Sequence, residues 1–497
     1  MALISGGAPA AASAAYSAYS HQITITDTGG ECASVGAWDQ YSQSCTLNTD
    51  ITDTTVWITS SGVTLNGNSH LVSSGADVHY GVIIGDDTSG IEVKELNASN
   101  FLGSNSLYKG WSGSEAGIYQ KPTSTGNVIS GNTVTSSDIG IDTPGSASLV
   151  SGTTVNNNTV NNNSFYGIRA GGANGETISG NTASSDGYNG IYVYSASNAT
   201  VSDNIANSDG WYGIYFGSNG GSVSNNTTNS DVYDGILIYG SSNNVVSGNT
   251  ASLNGNGIYL RYASHDSLFG NVTSSNTGWG LAISRSTYNT VSGNTSSDNG
   301  YGIYLDGQHE ETSHNNQIYH NNFLSNTTQV YISSTSYVWG NSFNFPAPTG
   351  GNYWSNWTSP DANGDGFVDS PFVFYGGQDS LPLTSPVSGA KPPLTLDLPS
   401  PAWASLSDYQ AGILSVTWTI NNTGTAEAWS AQLTGSVNTN GVTLASTLPA
   451  TIGSGDILPG SSGSVTLKYN VPAGVGSWIS TLTGSANDGA GTTYTYP

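Results

Sequence analysis

Positive charge is scarce in this sequence. Eight Lys and Arg stand against 33 Asp and Glu, a formal net charge of -25 in 497 residues. A surface of that sign repels phosphate backbones and anionic lipid headgroups, which excludes nucleic acid and acidic membranes as partners. Cations, and neutral polymers such as glycans, remain. Charge of either sign is thin, at 8%. Tyr is nevertheless abundant and aliphatic residues recur at fixed spacing, so the chain is not of the disordered class. No apolar run is long enough to cross a bilayer, and no transmembrane segment is expected. Methionine occurs once and cysteine twice. Cys32 and Cys45 flank the short loop ASVGAWDQYSQS. So close a pair, in a chain otherwise free of thiols, predicts one disulfide formed in an oxidising compartment; two free buried thiols are the alternative. Residues 1–20 carry no basic n-region and no long apolar core. They read as the remainder of a secretion signal or as an N-terminal extension.

What is plentiful is Gly, Ser, Thr and Asn, and it comes in repeats. Val-Ser-Gly-Asn-Thr stands at Val246–Thr250 and again at Val291–Thr295, with near copies at Ile178–Thr182, Val201–Ile205 and Val223–Thr227. A Gly followed by Ile or Leu recurs at Gly167, Gly190, Gly213, Gly235, Gly257, Gly280 and Gly302, in steps of 22 or 23 residues. Short alternating strands on that period, broken by Gly, Asn and Ser turns, predict a parallel β-helix. A leucine-rich repeat would need several Leu and a helical segment in each repeat, and both are missing. Strand alternation turns Ile168, Ile191, Ile214, Ile236, Ile258, Leu281 and Ile303 inward and the tyrosines between them outward. Small residues from Val160 to Ser296, two after each repeated Asn, form a further inward column. The asparagines themselves are expected to make an inward ladder of amides bonded rung to rung. Val56–Ser74 and Ile91–Phe101 read as the first, wider coils, and Leu47–Ile51 as the cap of the open end.

The stretch GVTLNGNSH (Gly62–His70), the repeated GIYL and SGNT elements and the closing GGNYWSNW…DANGDGFVDSPF…GGQDSLPL (Gly350–Leu383) resemble the right-handed β-helix families related to pectate lyases. Within them the chain is similar to the NosD-like group of secreted and periplasmic proteins, over about residues 20–385. The resemblance implies the fold. It selects no activity, because such rods host lyases, hydrolases, epimerases, adhesins and surface-layer parts. The namesake role, copper-site maturation of a reductase, does not carry over, since soft copper ligands are missing. After a Pro-, Ser- and Gly-rich linker the strands LSVTWTINNTGTAEAW, GSVTLKYNVP and SWISTLTGSAND resemble adhesion-type immunoglobulin-like domains of prokaryotic surface proteins. The expected class is all-β. It comprises an N-terminal extension (1–20) and a right-handed parallel β-helix of about 22–23 residues per coil with its cap (21–345). A C-terminal β-helix segment (346–385), the linker (386–394) and an immunoglobulin-like β-sandwich (395–497) follow.

Four groups of residues are candidates for chemistry. Asp361, Asn363, Asp365 and Asp369 set oxygens at positions 1, 3, 5 and 9 of an EF-hand-like loop, with Gly366 at the sharp turn and the Phe367 carbonyl at position 7. Position 12 is Phe372, so Asp369 is the candidate bidentate ligand. A structural Ca2+ clipping the end of the rod is expected, against a plain DG-rich turn. Asp186, Asp209, Asp231, Asn254, Asn276 and Asp298 form an acidic column, read as turn-capping residues, with the paired carboxylates of a glycosidase as the alternative. Outward Tyr192, Tyr215, Tyr259 and Tyr304, with Trp211 and Trp279, form an aromatic ridge suited to stacking on sugar rings or to burial in a protein interface. Plain β-propensity on an exposed sheet face is the competing reading. Arg261, His265, Asp266, Arg285, Asp306 and Glu310 make up the one knot of charge, a candidate acid/base and Arg set for an acidic sugar or a solvated ion-pair patch. Repeat alignment sets Arg261 and Asp306 at equivalent outward positions and lays His265 over Tyr288. Asn97, Asn198, Asn356 and Asn421 are the candidate glycosylation sites, while the sequons in the ladder should face inward.

These features point to a secreted cell-surface protein with a structural or adhesive role, contacting a polysaccharide or surface glycan or assembling with copies of itself. An extracellular polysaccharide lyase or glycoside hydrolase, working in a groove near Arg261–Glu311, is the alternative. The lack of a dense ionisable groove weighs against an enzyme.

Overall fold

Each coil turns three short strands through three corners, most of them at Gly, Ser or Asn, with positive φ also at Leu253, Tyr262, His265, Arg285 and Tyr288. A computed structural model describes residues 21–387 except 76–77, 104–114, 146–151, 309–310 and 358–359. Beyond these it describes 394–396, 400–402, 411–422, 428–453, 455, 457, 462–472, 475, 480–487 and 493–496. The expected N-terminal extension, most of the linker and Glu310 lie outside the described residues.

Three sheets of 13 strands each, parallel except for the first pair of the third, run along a solenoid of the right-handed type. The first extends from Gln22–Ile25 to Thr328–Ile332, the second from Ile51–Thr52 to Tyr353–Trp354, and the third from Gly36–Asp39 to Gln317–Tyr319. At about 4.8 Å per rung the stack is about 60 Å long. Ile191, Ile214, Ile236, Ile258, Leu281 and Ile303 pair in register and are buried, as the alternation predicts. Each such side chain contributes about 1.5–3 kcal/mol by leaving water. The small column is buried too, and it explains the repeated Gly. A Cβ on Gly235 would lie 2.5 Å from both Asn254 Nδ2 and Thr228 Oγ1, a gap that no side chain can enter.

The asparagine ladder occupies the corner between the third and second sheets. Asn204 Nδ2 donates to Asn226 Oδ1 at 2.9 Å, Asn226 to Asn249 at 3.0 Å, Asn249 to Asn271 at 2.9 Å and Asn271 to Asn294 at 2.9 Å. Asn249 Nδ2 also reaches the Val223 carbonyl at 2.9 Å, and Asn249 Oδ1 accepts the Asn226 backbone N–H at 2.9 Å. Every buried donor and acceptor of the amide is thus engaged.

The two ends are closed differently. At the N-terminal end Gly36–Asp39 folds antiparallel against Ser44–Leu47, and the Cys32–Cys45 disulfide ties this hairpin to the short 3-10 turn Cys32–Ser34. Leu47 and Ile51, expected in the cap, are buried at this end, Leu47 closing the hairpin and Ile51 opening the second sheet. Their apolar side chains join Cys32, Val35 and Cys45 in the same buried cluster. At the other end Trp354, fully buried, stacks between Phe323 (4.5 Å) and Phe372 (4.7 Å). Asp379 ends the ladder there, accepting from Asn352 N at 2.7 Å and Trp354 Nε1 at 2.9 Å. Beyond the rod, small antiparallel sheets pack around Trp418, Leu433, Leu467 and Tyr469, as an immunoglobulin-like sandwich would. No helix among the described residues is long and apolar enough to cross a membrane.

Candidate functional site

The outer face of the first sheet concentrates the polar aromatic residues of the rod. Strict register lines up Tyr119, Asp142, Arg169, Tyr192, Tyr215, Leu237, Tyr259, Ala282, Tyr304 and Tyr331 on successive rungs. Rung spacing brings neighbouring rings to stacking distance. Tyr166 lies 4.9 Å from Tyr192, Tyr192 4.8 Å from Tyr215, Trp279 4.5 Å from Tyr304, and Tyr304 5.4 Å from Tyr331 with parallel planes. Leu237 and Ala282 interrupt the tyrosines in sequence but not in space. Tyr239 leans on Tyr215 at 5.7 Å beside Leu237, and Trp279 reaches both Tyr259 (5.4 Å) and Tyr304 across Ala282. Both interrupting residues end up 2% exposed. Trp211 stands to one side, stacked on Tyr188 at 4.8 Å and 46% exposed. Burial pushes the phenols of Tyr166, Tyr212 and Tyr304 up to about 12, further from ionisation than an exposed tyrosine.

An ion pair that sequence reasoning missed interrupts the ridge at its N-terminal end. Arg169 Nε donates to Asp142 Oδ1 at 2.9 Å and Nη2 to Oδ2 at 2.7 Å, with Asp142 1% exposed. Burial pushes the Asp142 carboxyl up and Arg169 pulls it back. Burial also disfavours the guanidinium charge, which the two hydrogen bonds hold in place. The partners are 27 residues apart, the same step as from Gly140 to Gly167. Aligning those glycines would have revealed the pair.

The charged knot is only partly assembled. Arg261 lies over the rings of Tyr239 (5.8 Å) and Tyr262 (5.4 Å), and Arg285 lies 5.2 Å from the Tyr262 ring. Arg285 Nη1 donates to Glu311 at 2.9 Å and to the Tyr262 hydroxyl. Asp306 accepts from Ser284 Oγ at 3.2 Å, and Ser284 separates it from Arg261 in the register. His265 stacks on Tyr288 at 5.2 Å, as expected. Asp266 does not join them. It turns inward, 1% exposed, and its Oδ1 accepts the Asn244 backbone N–H at 2.7 Å. The corner between the first and third sheets has an inward ladder of its own, and Asp266 is one of its rungs.

The acidic column is likewise interior. Asp186, Asp209, Asp231, Asn254 and Asn276 follow one another at the corner between the second and first sheets, each backbone N–H donating to the next Oδ1 at 2.8–2.9 Å. The next rung is Asn299, not Asp298, because Asn276 N donates to Asn299 Oδ1 at 2.9 Å while Asp298 faces solvent. In the Asp361–Asp369 loop the side chains bind their own backbone. Asp361 accepts from Gly364 N (2.7 Å) and Gly366 N (2.9 Å), Asp365 from Phe367 N (3.0 Å) and Asp369 from Ala362 N (2.8 Å). Of the glycosylation candidates, Asn198 and Asn356 are exposed, and Asn97 and Asn421 are half-buried.

A family model described as periplasmic copper-binding protein (NosD) matches residues 47–220 and 205–359. No curated protein matches the sequence. Among solved structures, the Azotobacter vinelandii mannuronan C-5 epimerase AlgE6 A-module is 14% identical, with 64% of this chain and 86% of that one covered and a TM-score of 0.45. The periplasmic alginate epimerase AlgG is 12% identical, covering 60% and 77%, TM-score 0.44. A mannuronic acid specific polysaccharide family 6 lyase from human gut microbiota is 12% identical, covering 67% and 86%, TM-score 0.43. Similarity of this extent carries nothing about a substrate. Nor do the residues fit the copper of the family description. Both cysteine sulfurs are bonded to each other, and among the described residues no three His, Cys, Asp or Glu side chains converge.

Proposed function

The chain belongs to the NosD family, and we propose that it is a non-cytoplasmic rod that binds a polysaccharide along the aromatic face of its first sheet. The disulfide and the family's periplasmic description support the compartment. The observation that carries the binding role is the ridge itself, a row of half-buried tyrosine and tryptophan rings at rung spacing along one flat face. Such rings offer apolar faces to sugar C–H groups and hydroxyls to sugar oxygens, and they are already ordered by stacking, so little freedom is lost on binding. A long repeating polymer matches a long repeating face, each extra contact adding to the rest. Binding is a better reading than turnover. Arg169 and Arg285 are engaged by carboxylates, and Asp266, one of the acids expected in the charged knot, lies inside the rod.

The Asp361–Asp369 loop, whose carboxylates here accept from its own backbone N–H groups, is proposed as a calcium clip on the C-terminal end of the rod in which those carboxylates would turn to the ion, supported by its oxygen spacing. Attachment at a cell surface is supported by the sandwich-like C-terminal sheets. The binding role is tested by affinity electrophoresis in gels containing neutral or acidic polysaccharides. At least one polymer should retard the wild type, and Tyr259→Ala combined with Trp279→Ala should weaken that retardation about tenfold, the equivalent of about 1.4 kcal/mol. Equal retardation of the two proteins would remove the ridge from the account.

A further inference from the structure

Part of the interior ladder at the corner between the second and first sheets is made of acids where amides would be expected. In its amide rungs the second side-chain atom is a donor: Asn254 Nδ2 gives to the Thr228 carbonyl and Asn276 Nδ2 to the Ala251 carbonyl, both at 3.1 Å. In the preceding three rungs that position is Oδ2 of Asp231, Asp209 and Asp186. Thr228 pairs with Ala206 one coil earlier, so the same register offers Asp231 the Ala206 carbonyl and repeats the arrangement for the other two. All three Oδ2 atoms are buried without a hydrogen-bond partner. An ionised Oδ2 would set acceptor against acceptor where water does not reach. A protonated one donates as the amide does.

No compensating charge faces this corner. The second-sheet strands packed here, Thr159–Asn161, Thr182–Ser184, Ile205–Asn207 and Thr227–Asn229, contain no titratable residue. On the first-sheet strands, Arg169 is committed to Asp142 on the outer face and Asp234 to Asn256 at 2.7 Å. No Lys, Arg or His is among the buried described residues.

We infer that Asp186, Asp209 and Asp231 stand as neutral carboxylic acids, a proton lock that holds the middle of the rod in acid and loosens as the pH rises. Burial, with the neighbouring aspartates adding to it, pushes Asp209 up to about 10. Burial, outweighing the hydrogen bonds each carboxyl accepts at Oδ1, drives Asp231 up to about 8 and Asp186 well above the usual range. An unfolded aspartate titrates near about 4, so above that pH the folded chain holds protons the unfolded chain has lost. The stabilisation is therefore whole below about pH 4 and is lost progressively as the pH climbs through the folded values.

Thermal unfolding from pH 4 to pH 10 tests this on the full chain and on the triple variant Asp186→Asn, Asp209→Asn, Asp231→Asn, whose rungs copy those at Asn254 and Asn276. The two should melt together at pH 4, and the variant should melt several degrees higher at pH 8, with a flatter profile. Parallel profiles would overturn the proposal. Infrared spectra of the wild type at pH 8, above the values of about 7 for Asp266 and about 6 for Asp234 and Asp379, provide a check that does not depend on the variant's stability. A protonated-carboxyl band is expected, and its absence would overturn the lock.

Discussion

At the scale of the residue, asparagine and glycine do the structural work that charge does elsewhere. Asn249 closes four contacts in one corner, so Asn249→Ala leaves buried partners unsatisfied and should cost about 1–3 kcal/mol in thermal or denaturant unfolding. A loss below a few tenths would contradict the ladder. Gly235→Ala should cost at least as much, since the added methyl meets Asn254 and Thr228, and urea unfolding would detect it. The inward columns and the asparagine ladder were legible in the sequence, because both repeat with the coil. The aspartates were harder. A Ser-x-Asp-Gly stretch reads equally well as an exposed turn or as an interior rung, and only the backbone donors of adjacent coils decide. Asp298 and Asn299 are neighbours, and spacing to the repeat Gly could not choose between them. Asp266 was misplaced for the same reason, its neighbours Arg261 and His265 pointing out while it points in.

At the scale of the element, the period predicts the strands between Gly167 and Gly302, where coils differ by a single residue. It fails at the ends, where the chain stops repeating. The N-terminal hairpin could not be foreseen from Leu47–Ile51, since a buried cap and a buried coil show the same apolar residues. At the C-terminal end the aromatic plug around Trp354 shields the last rung, and the Asp361–Asp369 loop sits beside it in sequence. If that loop binds calcium, chelation should lower the melting temperature, and Asp365→Ala should abolish the difference between calcium-loaded and chelated protein. Identical melting with and without calcium would leave the loop as a turn stabilised by its own amides.

At the scale of the whole molecule, a charge-poor rod presents one aromatic face and two faces of Ser, Thr and Asn. The tyrosines were visible as a ridge in the sequence, but their continuity across Leu237 and Ala282 was not, because it depends on Tyr239 and Trp279 leaning in from flanking positions. The negative surface favours a neutral polymer over a polyanion in low salt, so retardation by a neutral polysaccharide should depend little on ionic strength. The central claim is that the polymer lies along this face. Hydroxyl-radical footprinting with a retarding polysaccharide tests it most directly. Bound polymer should protect Tyr192, Tyr215, Tyr259, Trp279 and Tyr304 from oxidation and leave Tyr41 and Tyr375, exposed away from the ridge, unchanged. Equal oxidation of the ridge with and without the polymer would contradict the account.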